Sequence, residues 1–144
     1  MATALHSVSV AAVIVDDTGR ALLIKRRDNE RWEPPGGVLE LGEDIASGLR
    51  REALEETGLE VESVALTGVY KNMSRGVIAL VFRCKPTGGQ LTLNEEVGAF
   101  RWATPEEVRA IVDEAFAIRI TDALADLRSP AVRQHDGKHL IQKL

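Results

Sequence analysis

Three glutamates set the chemistry that this chain can do. Glu52, Glu55 and Glu56 stand at i, i+3 and i+4 in the stretch from Arg51 to Gly58. On a helix, that spacing puts three carboxylates on one face. Packed like charges cost a helix roughly 0.2–0.5 kcal/mol per pair. Glu55 and Glu56 also fall in the last turn, where the helix dipole disfavours anions. A hard divalent cation relieves such repulsion, because Mg²⁺ and Mn²⁺ prefer carboxylate oxygens and bridge to phosphates. The local chemistry is that of a metal site for a phosphorylated ligand. Arg51 adjoins the cluster and can hold one carboxylate through paired hydrogen bonds. Glu43, just ahead of the helix, is in reach of the same region. Taken alone, a glutamate-rich helix is more often a solvated face, so the surrounding elements decide.

The helix is well marked. Asp44 caps its start, Gly58 lies just past its end, and Ile45, Leu49 and Ala53 form an apolar stripe. Ahead of it, Ser7 to Val15 and Arg20 to Arg27 read as two strands joined by the turn Asp16-Asp17-Thr18-Gly19, which predicts a hairpin. Residues 28–37 carry two prolines and two glycines and read as a loop. After the helix, Val64 to Met73, Val77 to Cys84, Gln90 to Leu93 and Phe100 to Ala103 read as strands, with a turn at Gly88-Gly89. Thr104-Pro105-Glu106-Glu107 carries a Thr cap, Pro at the first position and Glu three after the cap, so a helix starts there. A further helix is expected from Glu114 to about Leu127, and the polar tail after Ser129-Pro130 is expected to be loosely held. Neighbouring strands with a few helices between them predict an α/β fold, a mixed sheet covered by helices. No G-x-G-x-x-G or P-loop lysine motif is present.

The full spacing around the glutamates is more specific. Gly37, Glu43, Arg51, Glu52, Ala53, Glu55, Glu56, Gly58 and Leu59 occupy every specified position of G-x5-E-x7-R-E-U-x-E-E-x-G-U, where U is apolar. This resembles the signature of the Nudix hydrolase family, and Pro35-Gly36-Gly37 ahead of it is similar too. The resemblance implies an α/β/α sandwich around a mixed β-sheet. It implies hydrolysis of a diphosphate linkage in a nucleoside triphosphate, or in a nucleoside diphosphate joined to another group. The cofactor would be Mg²⁺ or Mn²⁺, held by Glu52, Glu55, Glu56 and a backbone carbonyl at Gly36 or Gly37. Arg51 would orient a glutamate, Glu43 would support the metal shell or its loop, and Glu52 would help activate water. Many members recruit a further glutamate about six residues before a tryptophan, which here is Glu96 before Trp102. Downstream marks of the ADP-ribose and diadenosine polyphosphate subfamilies are missing at Ser74-Arg75-Gly76, and the NADH-type array is missing as well. The short chain is similar to compact members that act on nucleoside triphosphates. Two rival readings are a Nudix-fold nucleotide or metabolite sensor without turnover, and a partner-binding module using the acidic helix face.

Other residues carry weaker signals. Trp32 is placed to stack on a base, Arg27 to meet phosphate, and Tyr70 to line the pocket, although core packing and surface charge explain such residues as well. His135 and His139 have metal-like spacing, but Gly137 between them in a polar tail argues against zinc. Cys84 reads as a buried small residue.

The 144 residues are one domain's worth, with the core over about residues 7–127 and a tail over 128–144. Net charge −4 argues against extended nucleic-acid binding. A single cysteine excludes an internal disulfide framework. No apolar run approaches a membrane span of about 20 residues, and no basic segment precedes the apolar Val8–Val15 stretch, so a cytoplasmic protein is expected. The resemblance allows a homodimer, but no exposed apolar helix argues for one.

Overall fold

The structure is a computed structural model that describes residues 3–125 and 128–142. Nine strands and three helices are defined among these residues. In chain order they are β1 (Ser7–Ile14), β2 (Ala21–Arg26), β3 (Trp32–Glu33), β4 (Gly36–Val38), α1 (Ile45–Thr57), β5 (Leu59–Asn72) and β6 (Val77–Gly89). Then come β7 (Val97–Ala103), α2 (Pro105–Ile111), α3 (Glu114–Leu124), β8 (Ala131–His135) and β9 (Leu140–Ile141). Six strands form a mixed sheet in the order β4-β1-β6-β5-β8-β9, and three form a second sheet in the order β3-β2-β7. The pairs β1–β6 and β5–β8 are parallel.

β1 is the keel of the fold. Its side chains alternate between two buried faces, as a strand covered on both sides must. Val10, Ala12 and Ile14 enter one core with Leu49 and Ala53 of α1. Ala11 and Val13 enter another with Val108 of α2 and Ile120 of α3. The helices therefore lie on opposite sides of the sheet, which is the expected α/β/α sandwich.

α1 is capped as expected. The Asp44 side chain accepts from Ser47 N–H, and Gly58 ends the helix in the left-handed conformation at φ 83°. The buried stripe is narrower than expected, because Ile45 is exposed while Leu49 and Ala53 are buried. The capping box at Thr104 and Glu107 is present. Cys84 is buried as expected.

Five expectations are corrected. Residues 28–37 are not a loop throughout, because they hold β3 and the first two residues of β4. β1 and β2 do not form a hairpin: they lie in different sheets, joined across Asp16–Gly19 by a single bridge from Val15 to Ala21. β1 instead takes β6 and β4 as its partners. The strand expected after Val64 begins at Leu59, directly after the helix cap, and β6 runs on through Gly88-Gly89 instead of turning there. Residues 90–93 are not a strand. They are pinned to the end of α1 by Gln90 N–H to Gly58 O and Thr92 N–H to Thr57 O. The C-terminal segment is no loose tail, since β8 extends the large sheet and His135 is fully buried. α3 is defined to Leu124, and the last residues expected for it, 126 and 127, lie outside the described residues.

Candidate active site

α1 presents its three glutamates at three depths. Glu55 is the most exposed, with 60% of its side-chain surface open. The Glu52 side chain is mostly covered. Glu56 is 6% exposed and turned towards β4, where Gly36 N–H donates to its carboxylate at 2.6 Å. Burial pushes the Glu56 carboxyl up to about 7, with the nearby charges of Glu52, Glu33 and Glu96 adding to the effect. Glu52 is raised as well, first by burial, then by Glu55 and Glu96. Both shifts come first from burial, and the neighbouring carboxylates add to it.

Arg51 is the organiser of the cluster. Its guanidinium donates to both Glu43 oxygens at 2.9 and 2.5 Å, to Glu52 at 2.8 Å and to Glu55 at 3.3 Å. One more N–H reaches Val38 O at 3.2 Å, which ties the helix to β4. The Arg51 hydrogen bonds hold the Glu43 carboxyl well down, at about 2. Gly37 completes the fit. A Cβ there would lie 2.5 Å from the Glu52 carboxylate, so any side chain would displace Glu52.

Glu96 sits opposite, on the exposed loop before β7. Glu55, Glu56, Asn94, Glu95 and Glu96 line one cleft of about 230 Å³. Asn94, which the sequence reading missed, builds this loop. Its amide N–H groups donate to the Glu55 and Glu56 carbonyls at 3.3 and 3.0 Å, at the C-terminus of α1. Its side-chain oxygen accepts from Glu96 and Val97 N–H at 2.9 Å each. One side chain thus satisfies helix-end carbonyls and fixes the loop that carries Glu96.

The remaining sequence candidates fall in three places. Arg27 donates to Asn94 O at 2.8 Å and buttresses the Glu96 loop. Trp32 lies on β3 in the wall of a cavity of about 580 Å³, with Phe116, Glu33 and Arg75 also in that wall. Tyr70 is fully buried in the core, where its hydroxyl donates to Asp122 at 2.7 Å. His135 and His139 do not form a pair. The first is buried beside Arg119, and the second meets Glu114 at the surface. Glu33, half-buried and paired with Arg26 at 3.3 Å, had no motif to mark it.

A divalent cation fits the residues present. All the donors are carboxylate or carbonyl oxygens, their charges are crowded, and Gly37 leaves them space. Among the described residues no three acidic, histidine or cysteine side chains are already drawn around one point.

Comparison with known proteins shows the family. The NUDIX domain family profile matches residues 5–124. A MutT-like protein of Streptomyces ambofaciens is 58% identical over 95% of this chain and 88% of its own. A nucleoside triphosphatase of Salmonella agona is 30% identical over 83% of this chain and 96% of its own. Among solved structures, a NUDIX hydrolase from Nitrosomonas europaea superposes with TM-score 0.75 at 29% identity, covering 88% of this chain and 93% of that one. An ADP-ribose pyrophosphatase from Streptococcus suis shares the fold alone, with TM-score 0.77 at 18% identity over 89% of this chain and 99% of its own. With the complete signature running from β4 through α1 to the start of β5, the chain belongs to the Nudix hydrolase family.

Proposed function

We propose that the protein is a Mg²⁺- or Mn²⁺-dependent pyrophosphohydrolase. It cleaves a diphosphate linkage in a nucleoside triphosphate, or in a nucleoside diphosphate joined to another group, working on free nucleotides in the cytoplasm. The observation that carries this reading is the surplus of carboxylates against Gly36-Gly37. Glu52 and Glu56 stand close together with their carboxyls raised by burial, and Glu96 faces them from a fixed loop.

In this reading Glu52, Glu55, Glu56 and the Gly36 or Gly37 carbonyl hold the cation. When bound, such an ion neutralises diphosphate charge and makes an attacking water more acidic. Arg51 keeps the Glu52 carboxylate in place and ties α1 to β4. Glu96 takes the proton as water oxygen bonds to phosphorus. The bridging oxygen leaves with the departing phosphate and takes the electron pair of the broken P–O bond. No covalent link to the protein forms. Positioning and charge stabilisation supply most of the rate.

The test is a panel of nucleoside triphosphates, oxidised dGTP, ADP-ribose, NADH, nucleotide sugars and diadenosine polyphosphates. Released phosphate is read through a coupled phosphatase or pyrophosphatase. The reading predicts one class standing well above the rest and silenced by EDTA. A flat panel in both Mg²⁺ and Mn²⁺ would overturn it.

A further inference from the structure

A second charged cluster, absent from the signature, lies on the other side of Gly36-Gly37. Arg119 of α3 is 7% exposed, yet its guanidinium lacks a carboxylate partner among the described residues. Two acids of the same region, Asp122 and Glu33, are engaged elsewhere. Asp122 accepts from Arg133 twice at 2.8 Å and from Tyr70, and Glu33 pairs with Arg26. Arg119 Nε is buried without any hydrogen-bond partner. A buried, unpaired donor on a cation is expensive, so native proteins seldom keep one without a use.

The one side-chain hydrogen bond that Arg119 makes among the described residues is overcommitted. Its Nη2 lies 3.0 Å from His135 Nε2, while Gly137 N–H donates to His135 Nδ1 at 3.0 Å. A neutral imidazole has one acceptor nitrogen, so two donors compete for one lone pair. A protonated ring would have none. The cluster has more donors than acceptors in either state.

Arg119 itself lines a cavity. Arg119, Phe116, Gly36, Gly37, Val10 and Glu33 line a space of about 250 Å³. Phe116 and Glu33 also line the 580 Å³ cavity that holds Trp32. The Arg119 guanidinium lies 4.7 Å from the Phe116 ring centre. In the hydrolase reading above, a nucleotide whose diphosphate rests at Gly36-Gly37 would set its base in this space, because both glycines line it. Phe116 and Trp32 offer aromatic surface to a flat ring, and the Glu33 carboxylate in these walls is paired with Arg26 at 3.3 Å.

We propose, on the basis of the hydrolase reading above, that Arg119 donates to a carbonyl oxygen of the base. The protein then selects bases with a keto group at purine position 6 or pyrimidine position 4 over their amino counterparts. A guanidinium supplies donors alone, so an amino group at that edge meets donor with donor. Arg119 is in this account a specificity-determining residue, remote from the reacting phosphorus.

The experiment measures kcat and KM for ITP against ATP and UTP against CTP, with Mg²⁺, for wild type and Arg119→Met. Wild type is expected to favour the keto member of each pair by about tenfold in kcat/KM. Arg119→Met brings both ratios to within about twofold of unity, mainly by raising KM for ITP and UTP. Its melting midpoint holds or rises, since a buried unpaired cation is replaced by an apolar chain of similar length. A wild-type ratio near unity overturns the proposal without any variant. So does an equal loss on all four nucleotides, which would put the guanidinium on a phosphate oxygen. Arg119→Lys serves if the methionine variant fails to fold: it keeps the charge, loses the fork of donors, and is expected to lower both ratios. If no nucleotide is hydrolysed with either metal, the hydrolase reading fails. Equilibrium dialysis of the same four nucleotides then still decides whether Arg119 discriminates.

Discussion

Two clusters of charge flank the Gly36-Gly37 segment, and they are unbalanced in opposite senses. On the α1 side, Arg51 serves Glu43, Glu52 and Glu55, and Glu56 and Glu96 add further negative charge. On the α3 side, Asp122 is saturated by Arg133 and Tyr70, and Arg119 and His135 are left with too few acceptors. One cluster lacks a cation and the other lacks an acceptor. A fold optimised only for its own stability would pair these groups internally. On the proposed reading, a nucleotide bound with a divalent ion would supply both missing partners at once, with the ion among the glutamates and a base oxygen at Arg119.

The largest expected effect breaks the acidic side alone. Glu56→Gln keeps an oxygen to accept from Gly36 N–H but removes the charge. Hydrolysis should fall by at least about tenfold, while the thermal midpoint stays level or rises, read by steady-state kinetics and calorimetry on one preparation. Wild-type turnover in this variant would remove Glu56 from the site.

The adjacent glycines sharpen the contrast between site and scaffold. A Cβ on Gly37 meets the movable end of Glu52, whereas one on Gly36 collides with the Val10 carbonyl and the Ala11 backbone. Gly37→Ala is therefore expected to fold normally and lose activity by about tenfold. Gly36→Ala is expected to lower the melting midpoint, because β4 can no longer sit against β1. Equal midpoints for the two variants would contradict this division.

Tyr70→Phe probes the other cluster without touching its donor surplus. Asp122 keeps Arg133, so the loss is one buried hydrogen bond, about 1–2 kcal/mol. That corresponds to roughly 2–6 °C in the midpoint. Turnover should not change, and a large drop would return Tyr70 to the substrate pocket.

The smallest effect lies away from both clusters. Glu107 accepts from Arg101 and from Thr104 N–H, and these bonds hold its carboxyl at about 2, against 4.5 for a free glutamate. A lowered folded-state pKa stabilises above the unfolded value and is lost as pH falls through the folded one. The urea midpoints of wild type and Glu107→Gln should differ above pH 4.5 and converge as pH drops towards 2. A difference that persists at pH 2 would argue against the ion pair.

The acidic cluster was legible in the sequence because its chemistry is local. Caps, helix spacing and the signature from Gly37 to Leu59 all lie in one continuous stretch, and α1 formed as they required. The basic cluster was not legible. Arg119, Asp122, Arg133 and His135 come from α3 and β8, and meet Tyr70 of β5 only through the sheet order. Their polarity made the C-terminal segment look like solvent-facing tail, when in fact it was internal pairing. The predicted β1–β2 hairpin failed for a related reason. The Asp16–Gly19 turn is real, but β1 is buried on both faces and takes β6, more than 60 residues away, as its neighbour. Asn94 escaped notice because a lone asparagine in a loop gives no sign that it holds a helix end.

The central claim is that the α1 carboxylates form a divalent-metal site that drives hydrolysis. The most direct measurement is Mn²⁺ titration followed by electron paramagnetic resonance, on wild type and on Glu52→Gln/Glu56→Gln without nucleotide. The account predicts that the double variant keeps its melting midpoint and loses at least about tenfold in Mn²⁺ affinity. Equal Mn²⁺ affinity in the two proteins would contradict it.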